Sequence, residues 1–120
     1  MITSYKDLIV WQKAIELVQL VYSLTEKFPK AEIYGITIQM RRAAVSIPSN
    51  IAEGSVRGTR KDYRHFLLNA FGSGAELETQ SIIAQRLQFG ESINFNDINK
   101  LLTEIMKMLN ALIKNLEPNP

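Results

Sequence analysis

The sequence holds no cysteine in its 120 residues. That absence removes disulfides, thiolate zinc sites, iron–sulfur clusters and cysteine nucleophiles together, and it suits a reducing compartment. Histidine is reduced to one, His65, with Asp62 rather than Glu three positions before it. The paired Glu-x-x-His motifs by which helical bundles hold two metals therefore cannot be built, and no metal or cofactor is expected. No histidine is placed to activate a serine, no glycine-rich loop follows a strand, and there is no Walker lysine. No catalytic residue emerges, and the expectation is a protein that is not an enzyme. Long apolar runs are missing too. The stretch from Leu8 to Leu24 is interrupted by Lys13 and Glu16, so it reads neither as a signal-peptide core nor as a membrane span, and a cytoplasmic protein without membrane contact is expected.

What is present suffices for one globular domain over residues 1–120. Hydrophobic residues make up 46% and charged residues 22%, with 14 Lys and Arg against 12 Asp and Glu. That is enough apolar surface to drive collapse, and too balanced a mixture for a disordered chain. Leu8, Trp11, Ile15, Val18 and Tyr22 recur at steps of three and four, with Leu17, Val21, Leu24 and Phe28 beside them. This spacing predicts a first helix over 8–28, ended by Pro29. A second helix is expected over 36–56, carrying Met40, Ala43, Ala44, Ile47 and Ile51. Pro48 lies inside it, where the lost bond to the Ala44 carbonyl costs about 3 kcal/mol and predicts a kink. A restart is the alternative, because Asn50 and Glu53 have the spacing of a capping box.

Thr59 with Asp62 marks the start of a third helix over 60–89, with Tyr63, Phe66, Leu67, Ala70, Leu77, Ala84 and Leu87 on its core face. Gly72 and Gly74 interrupt that face, and close packing by a neighbour against bare backbone is the expected reason. A fourth helix is expected over 97–116, where Ile98, Leu102, Ile105, Leu109, Leu112 and Leu116 alternate four and three. With short connections and no strand pattern, the fold class is all-α: an antiparallel up-down-up-down four-helix bundle, helix two kinked at Pro48.

Two surface features point toward function. Between Arg41 and His65 six cations face two acids, a local +4, whereas the remainder of the chain carries −2. The dense part, Arg57, Arg60, Lys61 and Arg64, spans the turn between helices two and three and is the candidate phosphate-binding cluster, the alternative being a solvated helix start. Glu53, Glu76 and Glu78 are expected as structural partners of Arg41 or Arg42. Secondly, Ile9, Val10, Leu20, Ile82, Ile83 and Met106 lie off or at the edge of the core faces, more than a lone bundle hides, which predicts a homo-oligomer.

The stretch QMRRAAVSIPSNIAEG at Gln39 to Gly54 resembles the signature of the 23S ribosomal RNA intervening-sequence proteins. The resemblance extends to Trp11, Gln12, Lys13 and Ala14, to Phe28 and Pro29 with Glu32, Tyr34 and Gly35, and to Phe66, Leu67, Gly72, Ser73, Glu76, Leu77, Glu78 and Thr79. Gly74 departs from it, standing where a bulkier apolar residue is expected. The resemblance implies a four-helix bundle that associates into a ring-like homopentamer in bacterial cytoplasm. It also implies a likeness to the accessory proteins of diversity-generating retroelements, basic pentamers that bind a reverse transcriptase and nucleic acid. The expected function is therefore binding of RNA, or of a nucleic-acid-processing protein such as a reverse transcriptase. The contrasting expectation is a purely structural protein–protein interaction module.

Overall fold

A computed structural model describes residues 4–118, and among them there are helices and turns but no strand. Four long helices follow one another: α1 (Ile9–Thr25), α2 (Ile38–Ser55), α3 (Arg60–Arg86) and α4 (Ser92–Asn115). Contacts join α1 to α2, α2 to α3, α3 to α4 and α4 back to α1, so the four helices close around one core. Leu17, Met40, Ile47, Leu67, Leu77 and Leu102 are among its fully buried side chains. No helix of the described residues is long and apolar enough to cross a membrane.

On α1 two apolar stripes compete for the interior. Val10, Ala14, Leu17, Val21 and Leu24 are the buried one, whereas Ile15 and Tyr22 of the other stripe are exposed. Val10, expected off or at the edge of the core face, is therefore core. Leu20 and Met106 are half-buried against the core, while Ile9, Ile82 and Ile83 remain exposed. Leu87, expected inside, is exposed because α3 ends at Arg86 and Leu87 is already its C-cap.

Small residues let α2 and α3 approach closely. A Cβ on Gly54 would lie 2.7 Å from Phe66 Cβ and 3.2 Å from the Tyr63 carbonyl oxygen. Further along, the Ser46 and Ser73 hydroxyls share a 2.8 Å hydrogen bond. The two glycines of α3 separate in role: Gly74 is buried against the Met106 side chain of α4, whereas a Cβ on Gly72 would meet nothing within 4 Å. Close packing thus accounts for Gly74 and leaves Gly72 without a partner among the described residues. Met106 fills the space that the missing side chain at Gly74 leaves.

Helix α2 runs without interruption across Pro48, so no new helix starts at Asn50. Instead of capping, Asn50 Nδ2 donates to the Ser46 carbonyl at 2.8 Å and to Ser46 Oγ at 2.9 Å. The other departures lie at helix ends. α1 stops at Thr25, and Phe28 is buried beyond it, packed on Phe89 and Phe95. α4 begins at Ser92, five residues before the expected 97, because Phe95 is drawn into that aromatic cluster.

One ion pair ties the first and last helices together, with Lys13 Nζ 2.7 Å from Glu104 Oε2. The contact holds the Glu104 carboxyl below its usual range and the Lys13 ammonium above its own. Because the carboxyl is depressed in the folded state, its contribution is complete above the ordinary carboxylate range and fades as pH falls through the depressed value. The lysine contribution is lost only as pH rises through its elevated value. Melting temperatures of the native protein and of Glu104→Gln should therefore differ at neutral pH and converge in acid. A difference that persists in acid would assign the effect to packing.

Candidate nucleic-acid interface

The turn between α2 and α3 is set by local chemistry. Gly58 takes a φ of 93°, and Thr59 then caps α3, its Oγ1 accepting from the Asp62 backbone N–H at 3.1 Å. Asp62 adds negative charge to that first turn, where the helix dipole favours it. Arg60 and Lys61 follow directly and Arg64 lies one turn on.

Arginines at a helix N-terminus oppose its dipole, yet Arg60 and Arg64 have a second helix to serve. Arg60 Nη2 donates to the Asn115 carbonyl at 2.7 Å, and Arg64 Nε to the Ile113 carbonyl at 3.4 Å. Those carbonyls belong to the last turn of α4, which carries the negative end of the dipole; the Ile113 carbonyl also accepts from the Leu116 N–H at 3.2 Å. Arg64 also reaches Glu117 at 3.4 Å. Arg57 turns the other way, pairing with Glu53 at 3.0 Å and standing 4.9 Å from the Phe66 ring centre. Lys61 is exposed and makes no ion pair or side-chain hydrogen bond among the described residues.

Three of the four expected cations thus converge. Arg60, Lys61 and Arg64 line a groove of about 550 Å³ together with His65, Leu68, Leu116 and Pro118. Arg57 is not part of it. The apolar side of this groove was not anticipated: Leu116 and Pro118 come from the far end of the chain, and only the packing of α4 on α3 brings them to the basic turn. Their signal in the sequence is faint, a leucine and a proline after the last helix.

The expected partners of Arg41 and Arg42 differ as well. Glu53 is taken by Arg57, and neither Glu76 nor Glu78 pairs with an arginine among the described residues. Arg41 is instead half-buried between helices, its Nε donating to Thr25 Oγ1 at 2.9 Å and its guanidinium 4.4 Å over the Tyr22 ring.

Four packed helices around a single core define this as an all-α four-helix bundle protein. The chain belongs to the 23S rRNA-intervening sequence protein family, whose model matches residues 6–111. It is similar in fold to the crystal structure of a protein of unknown function from the S23 ribosomal protein family of Bacteroides thetaiotaomicron. The TM-score is 0.79 at 24% identity, over 88% of this chain and 99% of that one. No curated protein matches the sequence.

Proposed function

We propose that this chain is a non-enzymatic, self-associating binding module of the cytoplasm that takes up single-stranded RNA in the groove at the α3–α4 junction. The observation that carries this reading is the convergence of Arg60, Lys61 and Arg64 on an apolar floor. Carbonyl partners orient Arg60 and Arg64; Arg60 has no acidic partner among the described residues, so its guanidinium charge remains available to phosphates, whereas Arg64 shares its charge with Glu117. Leu68, Leu116 and His65 offer surfaces against which a base can lie. One groove with about three phosphate contacts gives a log affinity against log salt slope of only about −2. Repetition of the groove around an oligomer, pentameric as in the proteins the sequence resembles, multiplies such weak contacts through effective concentration. Self-association is supported by the large apolar side chains left at the surface, among them Ile9, Tyr34, Val56, Ile82, Ile83 and Ile93.

The second reading, a module that recognises a protein such as a nucleic-acid-processing enzyme, is favoured by the ion pairs of Arg57 and Arg64, which spend part of the basic surface within the chain. Lys61→Glu separates the two, since Lys61 holds no structural contact among the described residues. Fluorescent single-stranded RNA is titrated at two salt concentrations. RNA binding predicts a salt-sensitive affinity for the native protein and a slope shallower by at least about 0.7 in the variant. No salt-sensitive binding, or an unchanged slope, would leave the protein-interaction module in place.

A further inference from the structure

Helix α3 carries a second seam, on its outside. Gly72, Ala75, Thr79 and Ile82 alternate steps of three and four, the rhythm by which one helix interlocks with another, and all four are exposed. Its core-facing row is a different set that includes Leu67, Ala70, Leu77 and Ala84. The outer row is prepared for a dry contact. Thr79 Oγ1 already donates to the Ala75 carbonyl at 2.9 Å, so its hydroxyl is satisfied within the helix. Gly72, exposed in mid-helix with open space around it, weakens α3 without any packing gain among the described residues, whereas a bare backbone there allows a second helix to come close. Glu76 and Glu78 flank the seam on either side, at the positions that set partner choice in coiled coils, and neither forms an ion pair among the described residues.

Elsewhere on the same molecule lies the complement. Between α1 and α2 a groove of about 320 Å³ is lined by Tyr22, Ile38, Val45 and Ser46 with Arg41 and Arg42. Arg41 is held in place by Thr25 and Tyr22, so its fork is already oriented, and neither arginine has an acidic partner among the described residues. An acid-flanked apolar seam and an arginine-bearing apolar groove on one chain are matched in both shape class and charge.

We propose that the outer seam of α3 docks into the α1–α2 groove of a second copy of this chain, with Glu76 and Glu78 set against that copy's Arg41 and Arg42. This rests on the self-association reading and specifies its contact. The two surfaces differ, so the contact is heterologous: each copy offers a seam to one neighbour and a groove to the next, and the chain of contacts ends only by closing into a ring.

The absence of cysteine makes the test direct. Ala75→Cys and Val45→Cys are prepared separately, both at exposed positions, and treated with a short bismaleimide alone and after mixing. Cross-linked dimers are expected in the mixture only. Cross-linking of Ala75→Cys with itself would show a two-fold contact and overturn the proposal. An oligomeric mass by light scattering without cross-links in the mixture would overturn this pairing while leaving self-association intact; a monomer mass at every concentration would remove both. A second measurement probes charge: Glu76→Arg should weaken association about tenfold, and Arg42→Glu added to it should restore it. Both side chains are exposed, so the fold is retained, and failure of the restoration would overturn the assigned partners.

Discussion

Replacing Phe95 with alanine is expected to destabilise the protein by about 3–5 kcal/mol, the cost of a buried aromatic whose cavity the surroundings fill only in part. Phe95 is 1% exposed, and its ring lies 6.3 Å from that of Phe28, which in turn lies 5.6 Å from Phe89. The three rings close the end of the bundle where α1 stops and α4 begins. Gly90 admits them, since a Cβ there would come within 2.7 Å of Leu24 and 3.1 Å of Phe28. Denaturant unfolding should show a lowered midpoint with an unchanged slope, and amide exchange in the first turns of α4 should rise most. Leu87→Ala, a few residues before the cluster but exposed, should stay within about 0.5 kcal/mol. A loss for Phe95→Ala no larger than that control would mean that the ring is not part of the core.

The same aromatic cluster shows where the sequence was least legible. Ser92 to Asp97 is rich in serine, asparagine and aspartate, which favour turns, and by local propensity the helix belongs after it. Burial of Phe95 outweighs that preference and extends α4 forward, an effect that depends on Phe28 and Phe89 meeting it from other parts of the chain. Helix interiors, by contrast, were readable because three-and-four spacing is a direct consequence of helical geometry. Even there, α1 carries two stripes of comparable hydrophobicity, and only the packing of α2 and α4 selects the one through Ala14 and Leu17. Thr59 was legible as a cap since its chemistry lies within three residues of its partner Asp62.

The basic cluster was legible as charge but not as geometry. Counting cations locates Arg57, Arg60, Lys61 and Arg64 at one turn, yet it cannot show that Arg60 and Arg64 reach the final carbonyls of α4, some fifty residues away. That contact changes what the arginines mean. They fasten the end of α4 and at the same time are held rigid, which lowers the side-chain entropy that a phosphate contact would otherwise cost. Lys61 alone is left purely as a surface charge, and for that reason it is the residue whose replacement separates binding from folding.

Gly54→Leu is expected to cost about 3 kcal/mol, at the upper end of what overpacking a core position does. The obstacle is the closeness of α2 to α3: an added Cβ would stand 2.7 Å from Phe66 Cβ, 3.1 Å from Tyr63 Cδ1 and 3.2 Å from the Tyr63 carbonyl oxygen. Two of those three atoms are fixed by the α3 backbone, so the helices themselves must separate. Even Gly54→Ala should be destabilising, because the gain of about 1 kcal/mol in helix propensity does not offset displacement of a helix. Gly74 supplies the contrast. A Cβ there would strike Met106 Sδ, the far end of a flexible side chain that can rotate away, so Gly74→Ala should stay within about 1 kcal/mol of the native protein. Urea denaturation of the three variants decides between the two kinds of contact. Equal losses at Gly54→Ala and Gly74→Ala would show that the side chains around Gly54 give way as easily as a methionine, and that close backbone approach is not what joins α2 to α3.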